Sequence, residues 1–386
     1  MVTESDILYI GFVLGHGGDA VQMGELAAGM AARGRRVRIV VPEMETTQGF
    51  AEQYRARGVL VERDVRIRAD PAGAKQDLQA LISLYQTYHA PIRHFHTGDV
   101  CLPRDAVRAL DHLDLPPAYA TLHSPYDTVA PGSPRGEFWA AAVTRRFHAI
   151  TCPSRHACRT QMQIGVEPER VHHIPNAVDT RRYACGDGSR PRRELKLASD
   201  TPLIVSTSRM DEQKRPMDTL AAFRAIAQEF PDAHLAFVGQ GSLMEAVRSL
   251  AHEYSMGDRV HLMGHRNDIP DWLAAATVWA LPTEAENFSL SVLEALAAGC
   301  AIVSTLCKGN DEVLVEGENA LIHAIGGEGQ AEAIRRLLSD ARLRQRLRQT
   351  AQHTAQAYDL PLMVNAYARL YDRSLREGSG VEMSST

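Results

Sequence analysis

Lysine is nearly missing from this chain: Lys75, Lys196, Lys214 and Lys308 are the only four among 42 basic residues. The scarcity fits a GC-rich genome and by itself says nothing about function. Also missing is any run of about 18 apolar residues, which rules out a membrane-spanning helix on length. An excess of positive charge is lacking too: 42 Lys and Arg stand against 47 Asp and Glu, a net charge of −5. Without such a field, neither nucleic acid nor an anionic membrane is expected as a partner. The six cysteines (101, 152, 158, 185, 300 and 307) form no C-x-x-C pair and no metal-ligand spacing. Reduced cysteines in a cytoplasmic protein are therefore expected. The start, Met1 to Asp6, is acidic and leads into the short apolar run Ile7–Leu14. It reads as a first buried strand and not as a secretory signal, which needs a basic start.

What is present is an alternation of short apolar runs with longer helical patterns, the sequence form of parallel sheets covered by helices. At 386 residues, 45% hydrophobic, the chain has material for two buried cores, given domains of roughly 100–200 residues. Strands are expected at Ile7–Leu14, Arg36–Val41, Ile92–His96, Tyr119–His123 and Ala149–Pro153. A second series follows at Leu203–Thr207, His234–Val238, Arg259–Met263, Val278–Leu281 and Ala301–Thr305. The fold class is α/β: two Rossmann-like, doubly wound units with a cleft between them. The first is expected over 1–185 and the second over 186–360. The stretch Cys185 to Pro191, polar and rich in Gly, reads as the connection. A last helix is expected over 361–376 and a frayed tail over 377–386.

The densest chemistry lies in Pro282 to Gly299. A strand ends at Leu281, a polar turn follows, and a short helix runs on toward Gly299. Its N-terminus is expected to offer backbone N–H groups around Asn287, Phe288, Ser289 and Leu290 to an anion or a sugar hydroxyl. Glu286 stands in the turn and Glu294 one turn into the helix. Two carboxylates repel a phosphate but accept hydrogen bonds from sugar hydroxyls. Taken alone, the same pair reads first as a solvated turn residue and an outward-facing helix residue. Upstream, Arg209 and Lys214 follow the strand Leu203–Thr207, a position suited to a pyrophosphate.

This ordered set resembles the retaining glycosyltransferases of family four, which carry the GT-B arrangement and an E-x7-E segment. The string Pro282-Thr283-Glu284-Ala285-Glu286 through Leu293-Glu294-Ala295-Leu296-Ala297-Ala298-Gly299 carries the likeness, with Val205 to Arg209 and Glu212 to Pro216 before it. Ser208 replaces the usual glycine before the Arg. The resemblance implies that Arg209 and Lys214 hold a donor diphosphate, Glu286 the transferred sugar and Glu294 the ribose. It implies that Gly239, in Phe237 to Gly241, lets the backbone approach the nucleotide, and that Arg266 belongs to the loop reading the base. In the first half, the loop Gly15-His16-Gly17-Gly18 would bring backbone amides to the donor phosphate through Gly17 and Gly18. His123 would face the transferred sugar, although Ser124 stands where the family usually has Asp. Plain structural readings of a tight turn, a core histidine and a solvated Arg266 stand beside these.

The implied activity is transfer of a hexose from a nucleotide-diphosphate sugar to a hydroxyl acceptor, with retention of configuration. No metal is expected, because no Asp-x-Asp element occurs at a predicted strand end. Asp111 with Asp114, and Asp268 with Asp271, have the wrong spacing. No cofactor beyond the donor is expected. The acceptor is read as a small polar molecule of bacterial specialised metabolism, contacted around Arg93 to Asp99 and after Pro42 and His123. A nucleotide-sugar epimerase and a non-catalytic nucleotide-sugar-binding protein are the alternatives. The donor base, its sugar and the oligomeric state are left open.

Overall fold

The computed structural model describes residues 5–13, 17–68, 76–113, 115–124 and 126–378. The chain divides into two compact units, one of residues 1–176 with 360–386, the other of residues 177–359.

The described residues of the first unit form seven strands: β1 (Ile7–Phe12), β2 (Val37–Pro42), β3 (Leu60–Asp64), β4 (Ile92–Thr97), β5 (Ala118–Leu122), β6 (Phe147–Cys152) and β7 (Val171–His173). Its helices are α1 (Gly18–Ala31), α2 (Thr46–Arg55), α3 (Leu78–Thr87), α4 (Arg104–Leu113), α5 (Pro134–Arg146) and α6 (Arg155–Gln163). The strands pair in parallel in the order β3-β2-β1-β4-β5-β6-β7. Central strands such as β1 are buried at every position, as expected of a sheet covered on both faces. Two edge strands have no counterpart among the expected strands. β3, Leu-Val-Glu-Arg-Asp, is only partly buried, and β7 is a three-residue Val-His-His. Neither carries an apolar run, because an edge strand has fewer neighbours to bury against.

The second unit begins with α7 (Thr180–Ala184) and α8 (Ser189–Glu194) and continues through β8 (Leu203–Thr207), α9 (Pro216–Ile226), β9 (His234–Val238), α10 (Met244–Glu253) and β10 (Val260–Leu262). It closes with α11 (Ile269–Ala275), β11 (Val278–Leu281), α12 (Leu290–Ala297), β12 (Ile302–Thr305), β13 (Ala320–His323), α13 (Gly327–Ser339) and α14 (Ala341–Ala355). Its six strands are parallel, ordered β10-β9-β8-β11-β12-β13.

The change of unit falls at Asn176/Ala177, ahead of the expected boundary at residue 185. The reason is local packing, since α7 lies against α11 and α12. The polar stretch expected as the connection is packed. A Cβ on Gly186 would stand 2.0 Å from the Pro270 carbonyl oxygen, and one on Gly188 would stand 2.7 Å from Ala274 backbone atoms. These glycines let two backbones touch.

The last helix, α15 (Leu360–Gly378), packs on α1 of the first unit. Met363, Val364, Tyr367 and Tyr371 are buried. The Tyr371 hydroxyl lies 2.5 Å from His94 Nδ1, and the Tyr367 hydroxyl lies 3.0 Å from both Thr121 and Thr151. Each satisfied pair removes a desolvation cost that a lone buried polar group would carry. Among the described residues, no helix is long and apolar enough to cross a membrane.

The packing of Gly186 is testable. Gly186→Ala forces a backbone shift and should lower unfolding stability by about 1–3 kcal/mol. An unchanged urea midpoint would show that residues 185–191 are a loose connection after all.

Candidate functional site

In an open parallel sheet, ligands gather at the carboxyl edge where the strand order reverses. In the second unit that point lies between β8 and β11. The loops leaving these two strands are tied together. The Glu284 N–H donates to the Gln213 carbonyl at 2.9 Å, and Gln213 Nε2 donates to the Ala285 carbonyl at 2.5 Å. Arg215 Nη1 reaches Glu284 Oε1 at 2.5 Å. Arg215 takes a left-handed conformation, φ 48°, directly before Pro216 opens α9. From below, the Thr305 hydroxyl holds the Thr283 carbonyl at 2.5 Å.

These ties bring Lys214 and Glu286 into an ion pair between Nζ and Oε1. The two side chains are only 11% and 8% exposed. Such a pair is held by mutual compensation: either charge left alone there would be costly. Glu286 keeps further lone pairs, and Lys214 further N–H donors, for a ligand. Asn287, Phe288 and Ser289 are buried beside them.

Helix α12 starts at Leu290 behind Ser289, which makes no side-chain cap. The Leu293 N–H to the Ser289 carbonyl, 3.2 Å, closes its first turn. The N–H groups that precede this bond in the helix belong to Leu290, Ser291 and Val292, a set that shares Leu290 with the expected Asn287 to Leu290 and lies about two residues further on. Glu294 accepts a hydrogen bond from the Tyr183 hydroxyl at 2.7 Å. Burial pushes its carboxyl up to about 7, against the opposing pull of Tyr183 and the Arg182 charge. Tyr183 went unforeseen because it stands 111 residues away in sequence, and only the fold makes them neighbours.

Arg209 shares the loop of Lys214. It is about half exposed, with Nη1 2.6 Å from Asp211 and Nη2 3.2 Å from Gln213. Gly239, after β9, packs on that loop's origin: a Cβ there would meet the Ser208 carbonyl oxygen at 1.9 Å. Arg266, after β10, is held by Glu194 at 3.0 Å and Asp268 at 2.8 Å. Two carboxylates thus already neutralise it. The structure gathers Arg209, Lys214, Gly239, Glu286 to Leu290 and Glu294 at one edge of the second sheet.

Gly17, Gly18 and His123 belong to the first unit. Gly17 precedes α1, whose first residue is Gly18, while Gly15 and His16 lie outside the described residues. His123 follows β5, and its N–H donates to the Thr97 carbonyl at 2.9 Å. Its Nε2 lies 3.2 Å from His96 Nδ1. His96 Nε2 is buried with no partner among the described residues. A buried bare lone pair is tolerated better than a buried orphan N–H. His96 therefore carries its proton on Nδ1 and donates to His123, which leaves the His123 proton on Nδ1. Burial pushes the His123 ring down to about 4, so it is neutral at physiological pH.

Comparison with known proteins accords with this layout. The family model described as Glycosyltransferase Family 4 matches residues 16–182, and that of Glycosyl transferases group 1 matches residues 189–354. The chain is a family 4 glycosyltransferase. It is 26% identical over 260 residues to N-acetyl-alpha-D-glucosaminyl L-malate synthase of Bacillus anthracis, covering 67% of this chain and 68% of that one. It is 28% identical over 180 residues to UDP-Gal:alpha-D-GlcNAc-diphosphoundecaprenol alpha-1,3-galactosyltransferase of Escherichia coli, 45% of this chain and 46% of that one. The fold matches Anabaena HepE, solved in complex with UDP and glucose, with a TM-score of 0.80 at 18% identity, covering 96% of this chain and 100% of that one. The fold is thus of the GT-B type.

In this glycosyltransferase the Lys214–Glu286 pair should behave as a unit. Lys214→Met strands a buried carboxylate and should cost about 3–5 kcal/mol. The double variant Lys214→Met/Glu286→Gln should recover most of that loss. Additive losses in a double-mutant cycle, measured by denaturant unfolding, would contradict the pairing.

Proposed function

We propose that this cytoplasmic enzyme moves a hexose from a nucleotide-diphosphate sugar to a hydroxyl of a small polar acceptor, with retention and without a metal ion. The observation that carries the reading is the buried Lys214–Glu286 pair beside the start of α12, at the reversal point of the second sheet. HepE, with the same fold, was solved with UDP and glucose. Lys214, Arg209 and the first N–H groups of α12 suit the diphosphate, where negative charge grows as the bond to the anomeric carbon breaks. Glu286 suits the hydroxyls of the hexose and Glu294 those of the ribose. Gly239 and the loop bearing Arg266 are assigned to the nucleotide, and the Gly17–Gly18 amides to the phosphate. His123 donates from Nδ1 to a sugar hydroxyl. The acceptor oxygen bonds to the anomeric carbon on the face the diphosphate leaves, and the acceptor proton passes to a diphosphate oxygen. A small acceptor is favoured by the malate synthase, which matches over more of this chain than the undecaprenol-dependent relative does.

Glu294 provides one test. Ribose hydroxyls donating to it favour its ionised form, so binding must lower a pKa that stands at about 7. The complex then holds fewer protons than the free protein. Affinity for UDP should rise from pH 6 to pH 8 and level off above. Calorimetry in buffers of different ionisation heat should record proton release at pH 6.5, absent in Glu294→Gln. Proton uptake, or identical release in that variant, would overturn the ribose assignment.

A second test concerns the metal. With Lys214, Arg209 and the helix amides as the compensating charge, excess chelator should leave the initial rate within about twofold, well short of the tenfold that ~1.4 kcal/mol represents. A collapse of rate restored by magnesium or manganese would falsify this part of the reading.

A further inference from the structure

The first sheet reverses its strand order between β1 and β4, and a cavity of about 240 Å³ opens there. Phe12 from the end of β1 and Thr97 from the end of β4 line it, with Phe138 and Trp139 of α5 on its apolar side. The reversal point that carries the proposed donor site in one unit thus carries a separate small cavity in the other.

Its charge is asymmetric. Three charged side chains line it, Arg104, Arg135 and Asp99, beside the Cys101 thiol, which burial pushes up to about 12 and keeps neutral. Asp99 is already committed, with Oδ2 2.5 Å from Arg135 Nη2 and Oδ1 accepting the Val100 N–H at 2.6 Å. Arg104 makes no ion pair or hydrogen bond with any described residue. Its guanidinium stands 4.8 Å over the Phe138 ring, which orients the planar fork while leaving its N–H donors available. Among the described residues, one positive charge without a counter-charge therefore faces a small, partly apolar space. The first turns of α3, α4 and α5 begin around it and add to the positive field.

We infer that the acceptor of this glycosyltransferase is a small anion, bearing a carboxylate or a phosphate that Arg104 engages in this cavity while an acceptor hydroxyl is left for the transfer. A fork of N–H donors over an aromatic ring matches either oxyanion bidentately. The volume suits a molecule of a few carbons better than a polymer end. The inference rests on the donor reading above, but its residues are distinct from those of the donor site.

The test uses the full chain with UDP-glucose and UDP-N-acetylglucosamine as donors and UDP release as the readout. Acceptors are offered in pairs: hydroxy acids with their methyl esters, and polyol or sugar phosphates with their unphosphorylated parents. The two sets separate a carboxylate from a phosphate. The expected result is that a charged member exceeds its neutral partner at least tenfold in kcat/KM. Arg104→Ala should raise the KM for that anion about tenfold or more while kcat stays within about twofold. Arg104→Lys, which keeps the charge and loses the fork, should fall between. UDP affinity, read by calorimetry on the same variants, should be unchanged, whereas failure of the donor reading would show in Lys214 variants. Neutral partners turning over as well as anions, an unaltered KM in Arg104→Ala, or a parallel loss of UDP affinity would each overturn the assignment.

Discussion

The thirteen strands among the described residues lie in parallel sheets, and one constraint follows from that. Every strand in a sheet points the same way, so every loop from a strand into its following helix leaves at the same edge. The helices that follow begin there, with their unpaired N–H groups and positive ends outward. Polar chemistry collects at that edge because the backbone already supplies donors. In the second unit the edge holds Lys214, Glu286 and the start of α12, and in the first it holds His123 and the Arg104 cavity.

Charge burial then separates positions that look alike in sequence. Glu286 and Glu294 are eight residues apart in one segment, but their surroundings differ. Glu286 has a lysine partner. Glu294 accepts from the Tyr183 hydroxyl, and burial raises its carboxyl to about 7 against the pull of that hydroxyl and of the Arg182 charge. One carboxylate is partnered by a cation, and the other is raised by burial away from the usual carboxylate range. The arginines diverge in the same way. Arg266 is saturated by Glu194 and Asp268, whereas Arg104 meets an aromatic ring and no described carboxylate.

The histidines of the first unit follow the same physics. His94, His96 and His123 are pushed downward by burial and remain neutral. Neutral rings can hand one hydrogen bond to the next. The set is braced by the hydroxyls of α15, through Tyr371 to His94 and Tyr367 to Thr121. The last helix of the chain thereby supports the strands that carry His96 and lead to His123.

Much of this architecture was legible from the amino-acid order alone. Apolar runs such as Leu203–Thr207 and Val278–Leu281 were placed at their observed limits, because a strand buried on both faces must be continuously apolar. The start of α12 at Leu290 and the loop position of Lys214 were legible for the same kind of reason, a strand end followed by a polar turn. Edge strands β3 and β7 and the charge-rich helix α14 were not, since half-exposed elements carry no strong apolar signal. Tertiary structure alone decided the pairings. Lys214 meets Glu286 across 72 residues and Tyr183 meets Glu294 across 111. Gly186, in the stretch read as the connection, serves close backbone packing. Local sequence sets what each segment can bury, but which charge faces which partner depends on strand order, and strand order is a property of the whole sheet.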